Sequence, residues 1–120
     1  MPHITLECSD NIEADFRAIF QTLTNEFVAT GHIPQLGVKC RVVRSSDHFI
    51  IDGNPDYKMI NLLIRLREGR SLEVRKELSE IGMKVLQKYF ESEINAKEII
   101  LSTEIKELIM GLDLTKNAVR

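Results

Sequence analysis

A chain of 120 residues with 43% hydrophobic and 28% charged side chains is sized for a single domain with its own core. Its formal charge of −2 gives no electrostatic case for nucleic acid or an anionic membrane, and no apolar run approaches the roughly 20 residues that cross a bilayer. The start of the chain lacks a basic segment followed by an apolar one, so no secretory leader is expected and the cytoplasm is the expected compartment.

The first segment, HITLEC, alternates, with Ile4, Leu6 and Cys8 on one side and His3, Thr5 and Glu7 on the other, as a half-buried strand does. In SDNIEADF, Asp10 followed three residues later by Glu13 predicts a capping box. Ile12, Phe16, Ile19, Leu23 and Phe27 then share one helical face. Gly31 and Pro34 stop that helix. GVKCRVV is the next strand, with Val38, Cys40 and Val42 opposite Lys39, Arg41 and Val43. DHFIIDGNPDY reads as a short hairpin or excursion turning at Gly53, Asn54 and Pro55.

The pattern then starts again. MINLLIRL is a strand with Ile60, Leu62, Ile64 and Leu66 on one face. Ser71 is a candidate N-cap, and a second helix carries Val74, Leu78, Ile81, Val85 and Tyr89 at the same mutual spacing as the first. EIILSTEI closes the unit as a strand. Any two amphipathic helices share that spacing, but the matching order of strand, cap, helix, stop and strand points to duplication. The chain is therefore expected to be a single domain of two β-α-β units, about 1–57 and 58–120, in an α/β (α+β) fold. Each unit contains a right-handed crossover between parallel strands. Both helices would cover one face of a four-stranded sheet, leaving the other face for further subunits.

Cys8 and Cys40 lie in strand-like segments and are expected as free, buried thiols. His3, His32 and His48 are scattered without metal-ligand spacing, so no metal site is expected.

Three stretches, MPHITLECSDNI, ATGHIPQLGVKCRV and PDYKMINLLIRLREGRSLEVRKEL, carry a resemblance to the tautomerase superfamily, most closely to the 5-carboxymethyl-2-hydroxymuconate isomerases. The EGRS within the third is also similar to a motif of the short 4-oxalocrotonate tautomerases. The similarity spans nearly the whole chain and thins after Ile105. It implies a homotrimer of duplicated β-α-β chains with no cofactor. The implied reaction is tautomerisation of an unsaturated 2-hydroxy polycarboxylate, 5-carboxymethyl-2-hydroxymuconate, to its 2-oxo isomer in the breakdown of homoprotocatechuate. Pro2 is the implied catalytic base, and arginines bind and polarise the substrate.

The residues permit that chemistry. A prolyl amine exposed by removal of Met1, which a small second residue favours, is modestly basic, and burial beside cations disfavours its protonated form. Lys39, Arg41 and Arg70 are the candidate cations for substrate carboxylates and for charge growing on the substrate oxygen. Each also has a plain reading. Pro2 can simply lead a strand, Lys39 and Arg41 can be a polar sheet face, and Arg70 can be solvated, although a cation before a helix N-terminus is mildly unfavourable. In related isomerases an arginine is expected where this chain has Lys39, and lysine lacks the planar fork for a bidentate carboxylate pair. That departure leaves open another reaction on an unsaturated acid, such as hydration, dehalogenation or decarboxylation. A trimeric binding protein without activity is the non-enzymatic alternative. Position 62, the repeat counterpart of Pro2, is a leucine inside the chain, so one site per chain is expected. Phe49 and Tyr57 are expected to wall that site.

Overall fold

The computed structural model describes residues 2–119. Its elements run β1 (His3–Ser9), α1 (Phe16–Ala29), a 3₁₀ turn (Gln35–Gly37), β2 (Lys39–Ser45), β3 (Lys58–Arg67), α2 (Leu72–Tyr89), a short α3 (Glu91–Asn95) and β4 (Ile99–Leu108). The strands form one sheet in the order β2-β1-β3-β4. β1 and β2 are parallel, as are β3 and β4. The two pairs join through antiparallel β1 and β3 at the centre.

One face of the sheet builds the core. Ile4, Leu6 and Cys8 of β1 and Ile60, Leu62, Ile64 and Leu66 of β3 are buried there. They pack with Ile19, Leu23 and Phe27 of α1 and with Leu78, Val85 and Leu86 of α2. Each fully buried aliphatic side chain of this kind contributes about 1.5–3 kcal/mol. On the other face the alternate residues, from His3, Thr5 and Glu7 to Asn61, Leu63 and Arg65, meet no helix among the described residues.

α1 begins later than Asp10 and Glu13 predict. Asp15 is its N-cap, with Oδ1 accepting from the Ala18 amide at 3.0 Å. Residues 10–14 are held as a turn by tertiary bonds instead: the Asp10 amide to the Ser45 carbonyl, Arg44 Nη1 to the Ile12 carbonyl, and Asn11 Nδ2 to the carbonyls of Pro55 and Tyr57. Ile12 is buried, as its pattern requires, but from a loop. At the other end Gly31 takes φ of +80°, the left-handed stop its position predicts. Ser71 caps α2 through its hydroxyl, which accepts from the Val74 amide at 3.2 Å. Tyr89 sits at the rim of the helical layer, where its hydroxyl meets Thr22 Oγ1 at 2.6 Å. Residues 46–57 contain turns and no strand. Cys8 is buried and Cys40 half-buried, both as free thiols, and burial pushes both thiols up from their ordinary range.

Gly82 marks the closest approach of α2 to the sheet. A Cβ added there would lie 2.9 Å from Leu62 Cδ2, and Leu62 is wholly enclosed. Alanine normally gains about 1 kcal/mol over glycine inside a helix, whereas overpacking a tight core costs about 1–3 kcal/mol. Gly82→Ala is therefore expected to lower stability, read as a lower midpoint in urea unfolding. A raised midpoint would show that the α2–β3 contact has slack.

Candidate active site at one end of the sheet

Because β1 and β3 run antiparallel, the beginning of β1 meets the end of β3. His3 stands opposite Lys39 on β2 and opposite Arg65 on β3, and Arg67 stands opposite Leu108. The starts of β1 and β2 and the ends of β3 and β4 thus share one edge of the molecule. Pro2 lies there, buried, with its carbonyl accepting the Lys39 amide at 3.2 Å. Met1, whose removal the prolyl amine requires, lies outside the described residues.

Lys39 is half-buried, and its Nζ donates to the Gly37 carbonyl at 3.1 Å, leaving two of three ammonium hydrogens for a ligand. Arg70 follows Gly69, whose φ of +117° turns the chain from β3 toward α2. Its guanidinium reaches across to the loop after α1. Nε and Nη2 donate to the His32 carbonyl at 3.3 and 2.9 Å, and Nη1 donates to the Arg67 carbonyl at 3.1 Å. Three of five N–H groups are thereby used to tie two loops together, and one remains on each terminal nitrogen. Arg41 lies two residues further along β2 on the helix-free face. Its Nη2 donates to His3 Nδ1 at 2.7 Å, and its Nε is 3.4 Å from Thr5 Oγ1. The fold therefore gathers Pro2, Lys39 and Arg70 at one end, with Arg41 leading away from them. Phe49 and Tyr57 do not wall this end within the chain. They lie beyond the opposite end of the sheet, where Phe49 lines an apolar groove with Glu7, Met59 and Ile100.

Since arginine can only donate, His3 Nδ1 must accept, which places the imidazole proton on Nε2. Burial first, and then the charges of Lys39, Arg65 and Arg41, push the His3 pKa below its ordinary 6.5. Folding thus favours neutral His3, and the stability this gives is present above the unfolded-state value and is lost as pH falls through the lower folded value. An NMR titration of His3 is expected to give a midpoint under 6.5 that moves up in Arg41→Ala. A midpoint above 6.5 in the wild type would contradict the bond drawn from Arg41.

Arg65 and Arg67 were not among the residues picked out by motif. Arg65 faces away from the helices beside His3, and its Nε is buried without a hydrogen-bond partner among the described residues. Arg67 Nε lies 3.6 Å from Asp113 Oδ2. The signal was available: in LLIRLR the two arginines occupy the alternate positions to Leu62, Ile64 and Leu66.

A sequence model of the family "5-carboxymethyl-2-hydroxymuconate isomerase" matches residues 2–120. A 5-carboxymethyl-2-hydroxymuconate Delta-isomerase of Escherichia coli is 34% identical over 121 residues, spanning 99% of this chain and 96% of its own. The chain belongs to this isomerase family. The crystal structure of a 5-carboxymethyl-2-hydroxymuconate isomerase from Deinococcus radiodurans R1 matches at a TM-score of 0.91 and 30% identity, covering 98% of this chain and 90% of that one. A fused 4-OT described as a wild-type symmetric trimer matches at a TM-score of 0.69 and 15% identity, over 98% of this chain and 96% of that one. That second likeness establishes the shared tautomerase fold. No described helix is long and apolar enough to cross a membrane.

Proposed function

We propose that this member of the isomerase family converts 5-carboxymethyl-2-hydroxymuconate to its 2-oxo isomer without a cofactor, with the Pro2 amine as general base. The observation that carries the proposal is that Pro2, Lys39 and Arg70 all lie at one end of the sheet. The substrate is a muconate bearing a carboxymethyl arm, so it has three carboxylates and an enolic hydroxyl. In the reaction the amine takes the hydroxyl proton, the oxygen becomes a carbonyl and the conjugated double bond shifts. A carbon further along then takes the proton back from the prolinium. Such a shuttle works best with a pKa near the operating pH. An α-amino group begins at about 8, and burial or nearby cations disfavour the protonated form of such an amine.

Arg70 has one N–H left on each terminal nitrogen for a carboxylate or for the developing carbonyl oxygen, and its three backbone bonds fix where they point. Lys39 offers a point charge beside the base. Arg41 binds a second carboxylate once it gives up Thr5. The helix-free sheet face is covered by two further copies of the chain, as the trimeric 4-OT with the same fold supports. The reaction belongs to the catabolism of homoprotocatechuate, which places the enzyme in the cytoplasm. Each chain supplies one base, so a trimer has three sites.

Ultraviolet-monitored ketonisation of 5-carboxymethyl-2-hydroxymuconate by protein freed of Met1 tests the reading, with sedimentation of the active species expected at the mass of three chains. Absence of turnover by that protein would overturn the assignment.

A further inference from the structure

Residues 109–119 leave β4 and return across the Pro2 end of the sheet as a strap. A turn at its start is closed by the amides of Leu112 and Asp113, both donating to the Ile109 carbonyl. Beyond it the strap is fastened at separate points. The Met110 amide donates to Glu68 Oε1 at 3.1 Å, Asp113 pairs with Arg67 at 3.6 Å, and Asn117 Nδ2 donates to the Leu36 carbonyl at 3.0 Å. Around the Asn117 fastening a groove opens between the strap, the 3₁₀ turn and the start of β2.

The groove has a chemistry of its own. Lys39 lines it from β2 and Lys116 from the strap, with Gly37, Thr115 and Asn117 beside them and Leu36, Val38, Ala118 and Val119 forming its apolar part. No carboxylate is among the described residues that line it, and Lys116 takes part in no ion pair among the described residues. Two lysines line one concave surface with no acidic residue among the described ones beside them, so the arrangement favours an anionic occupant. The Lys39 amide is bonded to the Pro2 carbonyl, so the groove adjoins the proposed base.

We propose that Lys116, together with Lys39, binds one carboxylate of a tricarboxylate substrate, so that the strap selects three-carboxylate substrates over two-carboxylate ones. The proposal rests on the isomerase reading for the identity of the substrate. Arg70 and Arg41 account for two carboxylates. A planar dienoate with a side arm must place its third elsewhere, and the Lys39–Lys116 groove is a cationic surface next to Pro2 that Arg70 and Arg41 leave unused. Lysine suits the task, because a rotatable point charge on a flexible stem can follow an arm whose direction changes as the conjugated system becomes a ketone.

Two measurements test it, one of which does not depend on turnover. Calorimetric binding of tricarballylate, a saturated tricarboxylate that cannot react, is expected to be about tenfold weaker in Lys116→Gln, the size of one charge-assisted contact. Lys116→Arg is expected to stay within about threefold of wild type, because the charge is kept. An unchanged dissociation constant in Lys116→Gln would overturn the proposal. So would an arginine variant as weak as the glutamine one, since that would reduce Lys116 to a packing role. In kinetics, the ratio of kcat/KM for 5-carboxymethyl-2-hydroxymuconate over 2-hydroxymuconate, which lacks the carboxymethyl arm, is expected to fall about tenfold in Lys116→Gln. A ratio equal to that of wild type would count against the site. If the Met1-free wild type binds tricarballylate through Lys116 but turns over neither substrate, the site stands and the isomerase reading falls. If it turns over both and Lys116→Gln leaves binding and ratio alone, the reading stands and the site falls.

Discussion

Protein that retains Met1 is expected to lose about 10²–10⁴-fold in kcat/KM, the usual contribution of a positioned acid–base group. In that form the Pro2 nitrogen is a tertiary amide with no basic lone pair, while every side chain of the site is unaltered. Acetylation of the exposed Pro2 amine is expected to produce the same loss. Pro2→Ala still presents an amine once Met1 is removed, but a primary one on a freer backbone. Loss of position alone makes a fall of up to about 10²-fold the expected result. The pH profile gives a further check. A base must be deprotonated to act, so kcat/KM should fall as pH drops through the pKa of the amine. Full activity with Met1 verified in place by intact mass would remove Pro2 from the mechanism, whereas a Pro2→Ala enzyme equal to wild type would show that the amine and not the ring is what the site requires.

Arg70→Ala is expected to show the second large effect, and in two separable ways. Losing a donor aimed at developing charge lowers kcat by about 10²–10³-fold. Its three bonds to the carbonyls of His32 and Arg67 also disappear, so the loop after α1 is released from the β3–α2 turn. That release should cost about 1–2 kcal/mol of stability, visible as a lower unfolding midpoint. Arg70→Lys separates the two. One ammonium cannot span both loops and still offer a fixed pair of donors, so lysine should recover little of the rate. Wild-type turnover by folded Arg70→Ala would show that the arginine is a loop tie and nothing more.

How much of this was legible beforehand varies element by element. The strands were, because strict alternation in HITLEC and MINLLIRL leaves one way to bury them. Ser71 was legible as a cap because it directly precedes an uninterrupted helical pattern. The start of α1 was not, since Asp10, Glu13 and Asp15 are all acceptable near a cap. The choice fell to bonds with distant parts of the chain, Arg44 to Ile12 and Asn11 to Pro55 and Tyr57, which hold residues 10–14 out of the helix. Phe49 and Tyr57 were misplaced for a related reason, as closeness along an excursion does not say which end of the sheet it adjoins. Lys116 carried no local signal at all, because a lone lysine after the last strand becomes notable only when Asn117 fastens it beside Lys39.

The sequence by itself determined the two β-α-β units, the parallel pairing within each, which faces are apolar, and the candidacy of Pro2, Lys39, Arg41 and Arg70. These follow from local periodicity and from crossovers too long for hairpins. Only the tertiary structure decided how the units join. Had β1 and β3 paired in parallel, Arg70, just beyond the end of β3, would stand at the opposite end of the sheet from Pro2. Their antiparallel pairing, His3 opposite Arg65, brings the start of one unit against the end of the next. That single choice of direction, made by side chains far apart in the chain, is what places Pro2, Lys39 and Arg70 at the same end of the sheet.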